Sequence, residues 1–182
     1  MAEPEERVVK AVLRDGEIIA SIDQGSLHYL SRGYGEKDSE QGIIRYSYPE
    51  ALYLVEEGRM RVLDESGEEL TFNQLLESLE RLDENVWRDY VVYRDLRKRR
   101  YVVKDGFSKS LRFRVFDRGK YGKEAAKYIV APIYEGKDVE VEELMSWLSA
   151  SRNMRKELVI AVVDRRNEVI YYRASLVDLR NV

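Results

Sequence analysis

The sequence contains no cysteine and a single histidine, His28. The first absence rules out disulfides, thiolate nucleophiles and cysteine-based zinc sites. The second rules out a histidine-rich metal site. Asn and Gln are scarce, and no apolar run approaches the ~20 residues needed to cross a bilayer. The first six residues, Met-Ala-Glu-Pro-Glu-Glu, are acidic, with no apolar stretch behind them that would read as a secretory signal. Dinucleotide, Walker, HExxH and GxSxG patterns are all missing, as are paired carboxylates at a useful spacing. The expectation is a soluble, cytoplasmic protein with no membrane partner, no bound metal and no cofactor.

What is present is charge and β-branched residues. The 182 residues are 44% hydrophobic, enough for one full domain or two small ones. Charged residues make up 36%, which with few thermolabile amides leans toward a thermophilic source. Net charge is −3, but unevenly spread. From Tyr90 to Lys127 there are 13 Lys and Arg against four acids, Asp95, Asp105, Asp117 and Glu124. A basic segment in an acidic chain suits a polyanion or an acidic partner, and equally a solvated face.

The pattern along the chain predicts a hairpin over 7–22 around Asp15-Gly16. A short helical piece carrying His28 follows, then a polar loop over 35–42 and a strand over 43–46. Pro49 opens a helix that Gly58 closes. A strand spans 59–63. Thr71 and Gln74 form a capping-box pattern at the head of another helix. The pattern changes at 83–85, so the expected domains are 1–83 and 84–182. The second begins with a helix over 85–100, apolar at first and basic at its end. Strands follow over 101–104, 111–116 and 127–133. A helix over 139–153 turns Leu144, Met145, Trp147 and Leu148 inward. Two more strands occupy 158–163 and 168–174. The fold class is α/β: a small mixed N-terminal domain, then a C-terminal domain with a mixed central sheet.

Groups able to move a proton are few. His28 lies between Leu27 and Tyr29, far from the basic segment, and reads as a packed or surface residue. RNA cleavage by the substrate's own 2′-OH needs no metal. It needs a base, an acid and a cation.

Five motifs occur in order: "EALYLVEEG" (50–58), "YVVYRDLRKRRYVVKDGF" (90–107), "RFRVFDRG" (112–119), "AAKYIV" (125–130) and "RKELVIAVVD" (155–164). Together they resemble the archaeal tRNA-splicing endonuclease family over roughly residues 43–175. The resemblance implies a tetramer whose subunits carry a restriction-endonuclease-like C-terminal domain. It implies metal-free cleavage of bulge-helix-bulge RNA, leaving 2′,3′-cyclic phosphate and 5′-OH ends. The family uses a Tyr, a His and a Lys. Their positions here are Phe116, Ala125 and Lys156, so only the Lys is kept. The resemblance thus implies a structural, non-catalytic subunit of a heterotetramer of two plus two, acting with a catalytic paralogue on precursor tRNA. The alternative is a self-sufficient nuclease with relocated groups, such as Tyr121 with Lys120 or Lys123. Arg97, Arg152, Arg155 and Lys156 are the candidates for RNA contact. Asp164, Glu168, Tyr171 and Tyr172 are the candidates for subunit contact. Arg165 and Arg166 offset the acids of that loop.

Overall fold

A computed structural model describes residues 8–177. It divides into two compact units between Arg94 and Asp95.

In the first unit, β1 (Val9–Arg14) and β2 (Glu17–Ser21) form the expected hairpin. Its two-residue turn needs positive φ at both central positions. Asp15 and Gly16 supply 49° and 78°. The helix α1 (Gln24–Leu30) is capped by Asp23, which accepts from the Ser26 amide. The 35–42 stretch is not all loop. It contains β3 (Glu36–Asp38), antiparallel to β4 (Ile43–Tyr46). β3 is a sheet edge. Charged edge strands discourage further pairing, and the same charges hide the strand from an apolar-alternation search.

The helix α2 (Tyr48–Glu56) starts with Pro49 in its first turn. Glu50, 3% exposed, accepts from the amides of Ser47 (3.1 Å) and Gly35 (3.3 Å). β5 (Met60–Leu63) lies parallel to β1, and β6 (Glu69–Leu70) adds a short edge that the sequence pattern does not announce. At α3 (Phe72–Glu80), Thr71 and Gln74 exchange the expected capping bonds of 2.9 and 3.3 Å. The sheet order is β3-β4-β2-β1-β5-β6. Ile18, Ile44, Leu52, Leu54, Leu75 and Leu79 fill the core.

The helix α4 (Val86–Lys98) carries the division between units. Its first half is buried as expected, including two charges. Arg88 and Asp89 are bonded to each other at 2.8 Å.

The second unit continues with β7 (Val102–Asp105), β8 (Phe113–Phe116), β9 (Tyr128–Tyr134), α5 (Val141–Asn153), β10 (Glu157–Val163) and β11 (Val169–Ala174). Sheet order is β11-β10-β9-β8-β7. β9 and β10 run parallel, with α5 as the connection; the other neighbours are antiparallel. The sheet is therefore mixed, as expected. Pro132 sits in a central strand, where a missing amide normally breaks a ladder. It is tolerated because pairing with β8 ends at Phe113 and Val130, two residues earlier.

Leu144, Trp147, Leu148 and Ser151 form the inward stripe of α5 at i, i+3, i+4 and i+7. Trp147 and Leu148 pack with Leu111, Ile129, Ala131 and Leu158. Met145, expected inward, is 44% exposed because it lies off that stripe.

Candidate functional site

β8, β9 and β10 bring the three expected positions to one end of the sheet. Phe116 ends β8. Lys127 donates its amide to the Val115 carbonyl at 3.0 Å, so the loop returns beside β8 as it enters β9. Glu157 donates to the Lys127 carbonyl at 3.0 Å, setting the start of β10 against the start of β9. Lys156 then lies at the same end, and its Nζ donates to the Ala126 carbonyl at 2.6 Å. Ala125 is one residue away and exposed.

The loop 117–127 turns on Gly119 and Gly122, at φ 72° and 77°. Lys120 accepts at its carbonyl from the amides of Lys123 and Glu124. Its Nζ reaches Glu124 at 2.5 Å, and this contact holds its pKa above the ordinary lysine value. Lys127 is likewise held high, first by Tyr128 and then by Asp117. The ring of Tyr121 meets Phe116 edge-on at 5.0 Å. Phe116, Ala125 and a lysine already bonded to a carbonyl thus share one end of the sheet, with Tyr121 against Phe116. The phenyl and methyl groups at positions 116 and 125 neither accept nor donate a proton.

The end of α5 supplies the next cations. Arg155 donates its amide to Arg152, and Lys156 donates to Ser151, both at 2.9 Å. These are the paired bonds of a Schellman motif, whose turning residue is normally glycine. Here it is Arg155, at φ 54°. The turn sets Arg152, Arg155 and Lys156 along an open groove of about 860 Å³. Arg173 of β11 joins them over an apolar base of Leu148 and Leu158, and pairs with Glu157 at 3.3 Å. Arg173 carried no sequence signal, since only the sheet register brings the end of β11 beside the end of α5. Arg97 stands apart from this group. It is 9% exposed, and its guanidinium donates to the Tyr101 carbonyl. The exposed cations at that end of α4 are Lys98, Arg99 and Arg100.

The four remaining positions lie on β11 and the turn before it. Asp164 accepts from the amides of Arg166 and Glu168 at 2.8 Å. The Glu168 amide, burial and then Arg166 act on its pKa in that order, with a net lowering. Arg166 pairs with Glu168 at 2.9 Å. Tyr171 donates to Asp95 at 2.7 Å, and Arg99 lies over its ring. Burial first, and then Asp95, push the Tyr171 phenol well up. Tyr172 points to the other face and is exposed, beside exposed Ile170. Among the described residues, β11 is an edge strand paired on one side only. His28 of α1 packs edge-on against Tyr29 at 5.2 Å. Among the described residues, no group of three or more His, Asp and Glu is placed to hold a metal ion, and no helix is long and apolar enough to cross a membrane.

Two family models match the chain. Residues 86–171 match the tRNA intron endonuclease, catalytic C-terminal domain, and residues 9–76 match the tRNA intron endonuclease, N-terminal domain. A tRNA-splicing endonuclease from Methanococcus vannielii is 32% identical over 98% of this chain and 99% of its own length. One from Pyrococcus abyssi is 34% identical over 80% of this chain and 82% of its own. One from Saccharolobus islandicus is 31% identical over 91% and 96%.

Proposed function

The chain belongs to the tRNA intron endonuclease family, and from that premise we propose that it is the catalytically silent, structural subunit of a heteromeric tRNA-splicing endonuclease. The observation that carries this is the pair Phe116 and Ala125 beside Lys156. The first position lacks the hydroxyl that would take the 2′-OH proton. The second lacks the imidazole that would protonate the leaving oxygen. Each missing proton-transfer group costs about 10²–10⁴-fold in rate. Lys156 alone supplies charge without proton transfer, and its Nζ is engaged by the Ala126 carbonyl.

A relocated site is disfavoured by the same loop. Lys120 is the nearest candidate acid to Tyr121, and Glu124 makes its ammonium harder to deprotonate. An acid that holds its proton more tightly is a poorer donor at neutral pH.

In this role the chain works with a catalytic paralogue, two copies of each. The open edge of β11, with Tyr172 and Ile170 exposed, suits strand pairing with another subunit. Asp164 accepts from the amides of its own turn, so Glu168, exposed and paired with Arg166, is the acid of that loop better placed to exchange that arginine for a basic partner. The groove of Arg152, Arg155, Lys156 and Arg173 suits the phosphates of precursor tRNA. Cleavage, with 2′,3′-cyclic phosphate and 5′-OH ends, is the partner's chemistry.

The test is co-expression with a catalytic paralogue, then cleavage of a bulge-helix-bulge RNA. The chain alone is expected to be inert, and the mixed complex active. Robust cutting by the chain alone, or failure of the two chains to co-purify, would overturn the proposal.

A further inference from the structure

The hairpin that joins β7 to β8 presents an aromatic ring to solvent. Phe107 is 57% exposed. The other phenylalanines of this unit are not: Phe113 is fully buried, and Phe116 is half-buried under Tyr121. A large exposed ring on a small turn invites a reason.

The turn is built rather than loose. Gly106 donates its amide to the Arg112 carbonyl at 2.7 Å, and Phe107 donates to Leu111 at 3.1 Å. Leu111 donates in turn to the Ser108 hydroxyl at 3.0 Å. Gly106 has no room for a side chain, since a Cβ there would stand 1.9 Å from the Leu111 carbonyl oxygen. The tip is anchored below by Leu111, which is buried in the α5 core. The backbone that carries the ring is therefore fixed, so a ligand meeting the tip has little main chain to order.

The surroundings are cationic. The Arg114 guanidinium lies over the Phe107 ring at 5.5 Å, and its Nε donates to the Asp105 carbonyl at 2.7 Å. Asp105 is the one acid of the turn, and Arg112 pairs with it at 2.8 Å. Lys109 is exposed at the tip. Ser108 and Ser110 fill the rest. Among residues 104–114, no second large apolar side chain is exposed. One ring is far less than the ~800 Å² per partner that a stable protein contact takes. One ring with a guanidinium and an ammonium beside it is what an unpaired nucleobase and its phosphate take.

We propose that Phe107 and Arg114 form a stacking platform for one unpaired base of a structured RNA, with Lys109 on the adjoining phosphate. The platform stands at the other end of β8 from Phe116. It is thus separate from the groove of Arg155 and Lys156, and reads the RNA at a second point. The proposal rests on the RNA-binding role inferred above.

The test uses the full chain and two RNA probes. One is a bulge-helix-bulge hairpin with 2-aminopurine in a bulge. The other is a fully paired hairpin of equal length. Phe107→Ala should weaken binding to the bulged probe by about 5- to 150-fold. It should leave the paired probe unchanged and remove the fluorescence quenching of the stacked base. Phe107→Trp should keep both. Lys109→Ala should lower the salt slope of binding by about one. A Phe107→Ala chain that binds the bulged probe like wild type overturns the platform. So does equal loss on both probes, or loss of self-association with RNA binding intact, which would make the ring a protein contact. If Phe107→Ala is silent while Arg152→Ala with Arg155→Ala abolishes binding, the platform fails and the groove stands. If the wild-type chain binds neither probe, both fail.

Discussion

Replacing Arg155 by glycine should make the protein more stable and worse at holding RNA. Arg155 is the turning residue of the Schellman motif that ends α5, at φ 54°. A side chain in that left-handed region costs about 1–2 kcal/mol. Glycine removes the cost but frees the unfolded chain, which gives back about 0.4–1 kcal/mol. The net is a gain of about 0–1.6 kcal/mol, centred near 0.8. For a chain of this size, each kcal/mol shifts Tm by about 2–4 °C, so the variant should melt higher, by up to about 6 °C. The groove meanwhile loses one of its four cations. One phosphate contact fewer should lower the slope of log K against log salt by about one. Three variants separate the two effects. Arg155→Gly changes both. Arg155→Ala keeps the strain and loses the charge, so only the slope changes. Arg155→Lys keeps strain and charge, so neither moves far. Thermal melts and salt-dependent anisotropy with a bulged RNA give the readouts. If Arg155→Gly melts lower than wild type, Arg155 makes contacts worth more than the strain, and the reasoning is wrong. If its salt slope is unchanged, the groove does not meet phosphate there.

Four further variants follow from the same geometry. Phe116→Tyr with Ala125→His should give at most faint cleavage by the chain alone, read as 2′,3′-cyclic phosphate product, because Lys156 stays engaged by the Ala126 carbonyl. Tyr171→Phe should cost about 1–2 kcal/mol in denaturant unfolding, through the lost bond to Asp95. Tyr171 also sets an alkaline limit. Its folded pKa lies above the unfolded value near 10, so its contribution is complete below about pH 10 and is lost above, and Tyr171→Phe should flatten that loss. Asp164 acts in the opposite sense. Its pKa is lowered by folding, so the turn should loosen as pH falls below the ordinary aspartate range, and Asp164→Asn should remove that dependence in hydrogen exchange of the Arg166 and Glu168 amides. Gly106→Ala should cost about 3 kcal/mol in thermal unfolding, since the three atoms nearest its Cβ are all backbone.

What the sequence discloses follows from how local each cause is. The Asp15-Gly16 turn, the Thr71–Gln74 box and the Pro49 start are set by residues within one turn of each other, and all stand as read. β9 and β10 show as apolar, β-branched runs because they are the buried centre of the sheet. β3 does not show in the pattern because its charges answer to water at an edge, and Met145 lies outside because the stripe runs 144, 147, 148, 151 and leaves position 145 beyond its margin. The helix end at Asn153 has no glycine after it to mark it; Arg155 takes the left-handed place. The order of the motifs places Phe116 at the end of β8, Lys156 just before β10 and Ala125 in the loop before β9, as their sequence positions lead one to expect. Arg173 and the burial of Arg97 were not legible, because both depend on which strand lies beside which helix.

The pair of Arg88 and Asp89 has a consequence for the order of folding. Consecutive residues on a helix do not normally face each other, yet these two bond at 2.8 Å while both are buried. Most buried charges wait for a counterion from a distant segment, and the chain must close a loop before the cost is met. Here the counterion is the next residue. α4 thus carries the Arg88 guanidinium into the interior with a counterion beside it, so that charge does not wait for a distant carboxylate. Asp89→Asn should break that independence. It would strand a buried guanidinium at about 3–5 kcal/mol, and the penalty should show as slower folding wherever α4 is ordered in the transition state.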